Sequence, residues 1–71
     1  MEKWYRVEVK FFNGNKRITW LSSCPVALVS LANDFENEID ANEVTMYEFE
    51  YKGEYLAEGG KLIRKYWRAE P

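Results

Sequence analysis

The chain of 71 residues contains no histidine, one cysteine and no long apolar run, and each absence excludes a class of protein. Without histidine it lacks the side chain that most often serves as a general base or metal ligand. A single cysteine excludes an internal disulfide, which favours a reducing compartment. No apolar run reaches the roughly 18 residues that a membrane-spanning helix requires, and the amino terminus does not resemble a signal peptide. We therefore expect a cytoplasmic protein.

Recognisable catalytic and cofactor-binding motifs are also absent from the sequence. Gly59 and Gly60 lack the spacing of a phosphate-binding loop. The acidic run at residues 34–43 lacks the alternating ligands and central glycine of a calcium-binding loop. Cys24 lies at a predicted helix amino end, which favours reactive thiols, but no neighbouring base is evident to activate it. We therefore expect a protein that is not an enzyme and that holds no metal or cofactor.

One segment, residues 23–39, has the apolar spacing of a helix. Ser22 or Ser23 can cap its amino end, and Pro25 suits the first turn, where no backbone donor is needed. Residues 40–42 form the expected exit turn. The residues expected on the buried face recur at intervals of three and four: Leu28, Leu31, Ala32, Phe35 and Ile39.

Strand-like alternation of polar and apolar residues lies on both sides of this helix. The predicted strands are residues 4–12, 16–21, 43–51, 54–57 and 61–68. The last of these fits a short helix almost as well as a strand. Asn13-Gly14 between the first two is typical of a hairpin, because both residues tolerate positive φ.

A second turn is predicted at Lys52-Gly53. It would place Phe49 opposite Leu56 and Glu50 opposite Tyr55, so that apolar partners meet on one face.

The resulting element order is β-β-α-β-(β)-β over a single domain, residues 1–71. An antiparallel sheet of four or five strands with one helix packed across one face is the simplest way to bury these elements. We therefore predict a small two-layer α+β domain. Pairing residues 61–68 with 43–51 would offset opposite charges, but the pattern leaves the strand order open.

The net charge of −2 is distributed in blocks: about +3 over residues 1–22, −8 over 23–58 and +3 over 59–71. Acids near a helix carboxyl end each cost roughly 0.3–1 kcal/mol when they are exposed. They form either a solvated face or an acidic patch that steers a basic partner. The acids in question are Asp34, Glu36, Glu38, Asp40 and Glu43.

Twelve aromatic residues are more than one face of a small sheet can hide. With Tyr5, Phe11 and Phe35 directed inward, the opposite face receives the others. These are Trp4, Phe12 and some of Trp20, Tyr47, Tyr51, Tyr66 and Trp67. Such rings either shield the face by packing on lysine and arginine stems or form a contact site, and they permit a homodimer.

Two functional hypotheses follow. The first is a protein-binding module, a small regulator, inhibitor or adaptor of the kind found among phage and mobile-element accessory proteins. Its anchors would be Trp4, Trp20 and Trp67, and the five acids would face a basic partner. The alternative is a single-stranded nucleic-acid binder, in which stacked rings combine with cations. Its contacts would be Arg64, Lys65, Tyr66, Trp67 and Arg68.

Overall fold

The computed structural model describes residues 2–53, 55–56 and 59–70, and over these ranges the chain forms five strands and one helix. The elements are β1 (Glu2–Phe11), β2 (Lys16–Leu21), α1 (Cys24–Asn37), β3 (Ala41–Lys52), β4 (Tyr55–Leu56) and β5 (Lys61–Trp67). The predicted α+β class is confirmed, because the strands form one antiparallel sheet and α1 packs across it.

Strand β3 is the centre of this sheet. Strand β1 pairs along one side of β3, and β2 pairs with the outer side of β1. The other side of β3 is shared, with β5 beside residues 43–48 and β4 beside residues 51–52. The basic segment 61–68 is therefore a strand rather than a helix over Lys61–Trp67, and it lies beside the acidic strand as charge pairing suggested.

The predicted hairpin joins β1 to β2. Gly14 has a φ of +91°, and the side chain of Asn13 accepts a hydrogen bond from the backbone N–H of Asn15 at 2.9 Å. These local interactions set the register in which Arg6 lies opposite Trp20.

Helix α1 starts as the sequence predicts. The hydroxyl of Ser23 accepts from the N–H of Val26 at 3.4 Å, and Pro25 lies in the first turn. The helix ends at Asn37, two residues before the predicted end. There the chain turns towards β3, and the N–H of Ala41 donates to the carbonyl of Glu38 at 3.0 Å.

The predicted buried face of α1 is correct in part. Leu31 is fully buried, and Leu28 and Phe35 pack against the core, but Ala32 is exposed and Ile39 is 74% exposed. Ile39 lies beyond the helix end, and Ala32 is about 100° around the axis from Leu31. The stripe that contacts the sheet is instead completed by residues one turn earlier, Cys24 and Ala27.

The core lies between α1 and one face of the sheet. Tyr5, Val7 and Val9 of β1 are buried beside Val44 and Met46 of β3. The register places Val7 opposite Met46 and Val9 opposite Val44, so these side chains share the face that α1 covers. Phe11 and Phe35 also pack against this cluster, as predicted from the sequence.

The register predicted for the β3–β4 turn is wrong. Leu56 lies opposite Tyr51 rather than Phe49, and Tyr55 lies opposite Lys52 rather than Glu50. Gly53, with φ +73°, follows the last paired residue. A turn that began at lysine would instead force positive φ on a residue with a Cβ. Residues 54 and 57 of the predicted strand lie outside the described residues.

Leu31 and Ile39 provide a direct test of this helix orientation. Leu31→Ala should lower the free energy of unfolding by about 2–5 kcal/mol, because it opens a cavity in the core. Ile39→Ala should change it by less than about 0.5 kcal/mol, because that side chain is exposed. Urea denaturation followed by circular dichroism measures both, and equal effects would contradict the structure.

Candidate functional site

The face of the sheet opposite α1 carries six of the twelve aromatic side chains; we call it the open face. Within the described ranges, α1 packs only on the other side of the sheet. Alternation along the strands places large apolar groups here, and several are substantially exposed, including Ile18 and Leu62. Side chains of this face include Glu2, Trp4, Arg6, Glu8, Ile18, Trp20, Tyr47, Phe49, Tyr51, Leu62, Lys65 and Trp67.

Arg6 lies at the centre of the open face, among aromatic rings. Its guanidinium carbon is 4.9 Å from the ring centroids of both Tyr47 and Phe49, and 5.7 Å from that of Trp20. Trp20 and Phe49 also contact each other, with centroids 5.3 Å apart. The cation therefore rests on three ring faces, an attractive arrangement of charge and quadrupole.

Glu8 supplies the negative charge for this cluster. Its carboxylate lies 2.7 Å from Nε of Arg6 and 3.0 Å from Nζ of Lys16, and the residue is only 5% exposed. Burial alone would raise the pKa of Glu8, but the hydrogen bond from Lys16 and the charges of Arg6, Lys16 and Lys10 outweigh it and hold the pKa below its ordinary value. The carboxylate is therefore ionised at neutral pH although little of it reaches solvent.

Beside this cluster, Glu2, Trp4, Trp20 and Tyr51 line a concavity of about 450 Å³, here called the aromatic concavity. Trp4 lies opposite Phe49 and Glu2 opposite Tyr51, and Trp20 of β2 contacts Phe49, which brings the four lining residues together. Of the three predicted anchors, the structure thus unites Trp4 and Trp20.

Trp67, the third predicted anchor, lies on the open face but outside the aromatic concavity. It is 66% exposed and pairs with Glu43, whereas Trp4 pairs with Phe49, six residues further along β3. At about 3.3 Å per residue, the two tryptophans are separated by roughly 20 Å.

Gly60 packs against the aromatic part of the open face. A Cβ at this position would lie closer than 3.0 Å to three atoms of the Phe49 ring. Gly60 does not adopt a positive φ, so space rather than backbone conformation requires a glycine here.

The five predicted patch acids are divided by the structure. Asp34 and Glu38 both contact Arg17, at 3.3 and 3.0 Å, and Glu43 lies 3.6 Å from Lys65. Burial raises the pKa of Asp34, and the neighbouring Glu38 adds to this, although Arg17 opposes it.

The remaining two acids, Glu36 and Asp40, are exposed, and neither has a basic partner within 4.0 Å in the described part of the chain. Much of the mid-chain negative charge is thus offset by bases of β2 and β5.

The residues of the nucleic-acid hypothesis fall on two faces, because successive side chains of β5 alternate. Tyr66 packs on Phe35 with ring centroids 5.4 Å apart. Arg68 lies over the same Phe35 ring and donates hydrogen bonds to the backbone carbonyls of Phe35 and Ile39. It thereby satisfies carbonyls at the carboxyl end of α1 and offsets the acids there. Lys65 and Trp67 project to the other side.

Sequence reasoning missed the Arg6–Glu8 cluster and the contribution of Glu2 to the concavity. The signal that could have found the first was the hairpin: its register sets Arg6 opposite Trp20. The β1–β3 register, which brings Tyr47 and Phe49 beside Arg6, had no local signal.

No family model, curated protein or solved structure matches this chain. Among the residues that the structure describes, no three histidine, cysteine, aspartate or glutamate side chains are grouped so that they could hold a metal ion. The described helix is also too short and polar to cross a membrane.

The ion pairs of Glu8 predict a pH-dependent contribution to stability. The folded-state pKa is depressed, so the contribution is present above the unfolded-state pKa, near 4.5, and is lost as pH falls through the folded value. Glu8→Gln should lower the free energy of unfolding by about 1–3 kcal/mol at neutral pH, because it removes the charge that pairs with Arg6 and Lys16. Denaturation measured from neutral pH to below 4 should show this difference in the free energy of unfolding becoming smaller. Glu36→Gln, at an exposed position, serves as the control. A deficit that is independent of pH would contradict the assignment.

Gly60 and Phe49 should be energetically coupled. Gly60→Ala should lower the free energy of unfolding by about 1–3 kcal/mol, because the added methyl group overpacks against the ring. In a Phe49→Leu background, Gly60→Ala should lower the free energy of unfolding by clearly less. A double-mutant cycle from urea denaturation measures the coupling, and strict additivity would show that the two residues do not touch.

Proposed function

We propose that this chain is a non-enzymatic protein-binding module whose docking surface is the part of the open face around the aromatic concavity. The observation that supports the proposal is the uncovered aromatic surface around the aromatic concavity, where Trp4 and Trp20 meet. Trp20 remains 41% exposed even though it packs on Phe49 and Arg6. Exposed tryptophans grouped in a concave, apolar surface are typical of binding hot spots.

A protein partner fits the charges of this face better than a nucleic acid does. Phosphate binding needs cations that are free to replace counterions. On the open face, however, Arg6 and Lys16 are held by Glu8, and Lys65 lies near Glu43. The positive charge around the rings is therefore partly offset by Glu8 and Glu43.

Exposed acidic side chains favour a basic partner. Glu2 lies at the aromatic concavity itself, whereas Glu36 and Asp40 are exposed on the helix layer, on the other side of the sheet. We propose that these acids steer the partner electrostatically, whereas the paired Asp34, Glu38 and Glu43 mainly stabilise the fold. A cytoplasmic regulator, inhibitor or adaptor, of the phage-accessory type, is the role that this size and surface suit.

The proposal is tested by comparing affinity capture from the native cell with matched tryptophan variants. Wild type and Trp67→Ser should retain the same specific proteins, whereas the Trp4→Ser/Trp20→Ser double variant should lose them. The expected loss of affinity is at least about tenfold, because removal of a single hot-spot side chain exceeds 1.4 kcal/mol. Circular dichroism confirms that each variant is folded.

Two other results would contradict the proposal. Micromolar binding of single-stranded oligonucleotides that weakens steeply with salt would favour the nucleic-acid alternative. A sedimenting dimer that the double variant at Trp4 and Trp20 dissociates would show that the open face joins two copies of this chain.

A further inference from the structure

The open face contains two side-chain clusters of the same composition, next to each other. In the first, three aromatic rings and the carboxylate of Glu8 surround the guanidinium of Arg6. The second is the aromatic concavity, which Trp4, Trp20 and Tyr51 line together with the acidic residue Glu2. Trp20 belongs to both clusters, so the two lie side by side.

The first cluster shows what such a combination binds. Ring faces carry negative potential, and a carboxylate beside them provides the counter-charge, so the pair favours a cation over a neutral group. A guanidinium suits this setting well, because it is planar, weakly hydrated and able to stack while it hydrogen-bonds a carboxylate. Within the described residues, the chain's own cation–π contacts do not include Trp4 or Tyr51.

We propose that the aromatic concavity binds an arginine side chain of the partner protein, stacked on Trp4, Trp20 and Tyr51 and paired with Glu2. This inference rests on the proposed function and specifies the chemistry of its anchor point. The volume of about 450 Å³ accommodates a guanidinium together with the stem of its side chain. The site is complementary to a basic partner surface in charge as well as in shape.

The test uses a short peptide, acetyl-Gly-Arg-Gly-amide, and its citrulline counterpart, which has the same shape without the charge. Binding is followed by NMR through the three indole N–H resonances. The arginine peptide should shift the signals of Trp4 and Trp20 and leave Trp67 unmoved, since Trp67 lies roughly 20 Å away. Citrulline should bind roughly 3- to 30-fold more weakly, the range expected for loss of a cation–π contact.

Variants separate charge recognition from apolar contact. Glu2→Gln, at an exposed position, should weaken arginine binding about two- to fivefold and leave citrulline binding unchanged. Trp4→Leu should abolish the shift of the Trp20 indole signal with the arginine peptide and with the citrulline peptide. Trp67→Leu should leave the shifts caused by both peptides unchanged.

Three results would overturn the inference: equal binding of citrulline and arginine, absence of any indole shift, or tighter binding of free choline than of the arginine peptide. The last would indicate a site for a small quaternary amine. If partner capture still depends on Trp4 and Trp20 while arginine fails to bind, the docking surface stands and only its cation chemistry is wrong.

Discussion

A single helix of 14 residues can cover only one face of this sheet, and the other features of the molecule depend on that limit. At 1.5 Å per residue, α1 is about 21 Å long, enough to cover the centres of β1 and β3. The aliphatic side chains face it, among them Val7, Val9 and Met46. Because strand side chains alternate, the rings and charges between them are directed to the opposite side, where no described element replaces the helix.

The open face is stabilised by side chains instead of by a second layer. Arg6 rests on three rings and pairs with Glu8, of which only 5% is exposed. Buried ion pairs contribute less to stability than their geometry suggests, because desolvation opposes attraction. On this face they also fix the positions of the rings and charges relative to one another.

Local sequence patterns predicted most of the secondary-structure elements, but they could not predict the contacts between distant segments. Alternation and Asn13-Gly14 gave the first hairpin, and Ser23 with Pro25 gave the start of the helix. Ile39 was misplaced because helical spacing continues past the residue at which tertiary contacts end the helix. The candidate site was harder to predict from the sequence. Which rings surround Arg6 depends on the β1–β3 pairing, and the register of that pairing is set by the whole core rather than by nearby residues.

The proposed function depends on one property of the fold: the aromatic side chains opposite α1 are in contact with solvent in the isolated protein. Relaxation of side-chain protons by a soluble paramagnetic probe measures this directly, residue by residue. The account predicts strong relaxation at the rings of Trp20 and Trp67 and little at Leu31 and Met46, which are fully buried. If Trp20 were as protected as Leu31, the open face would be covered and the account would be contradicted.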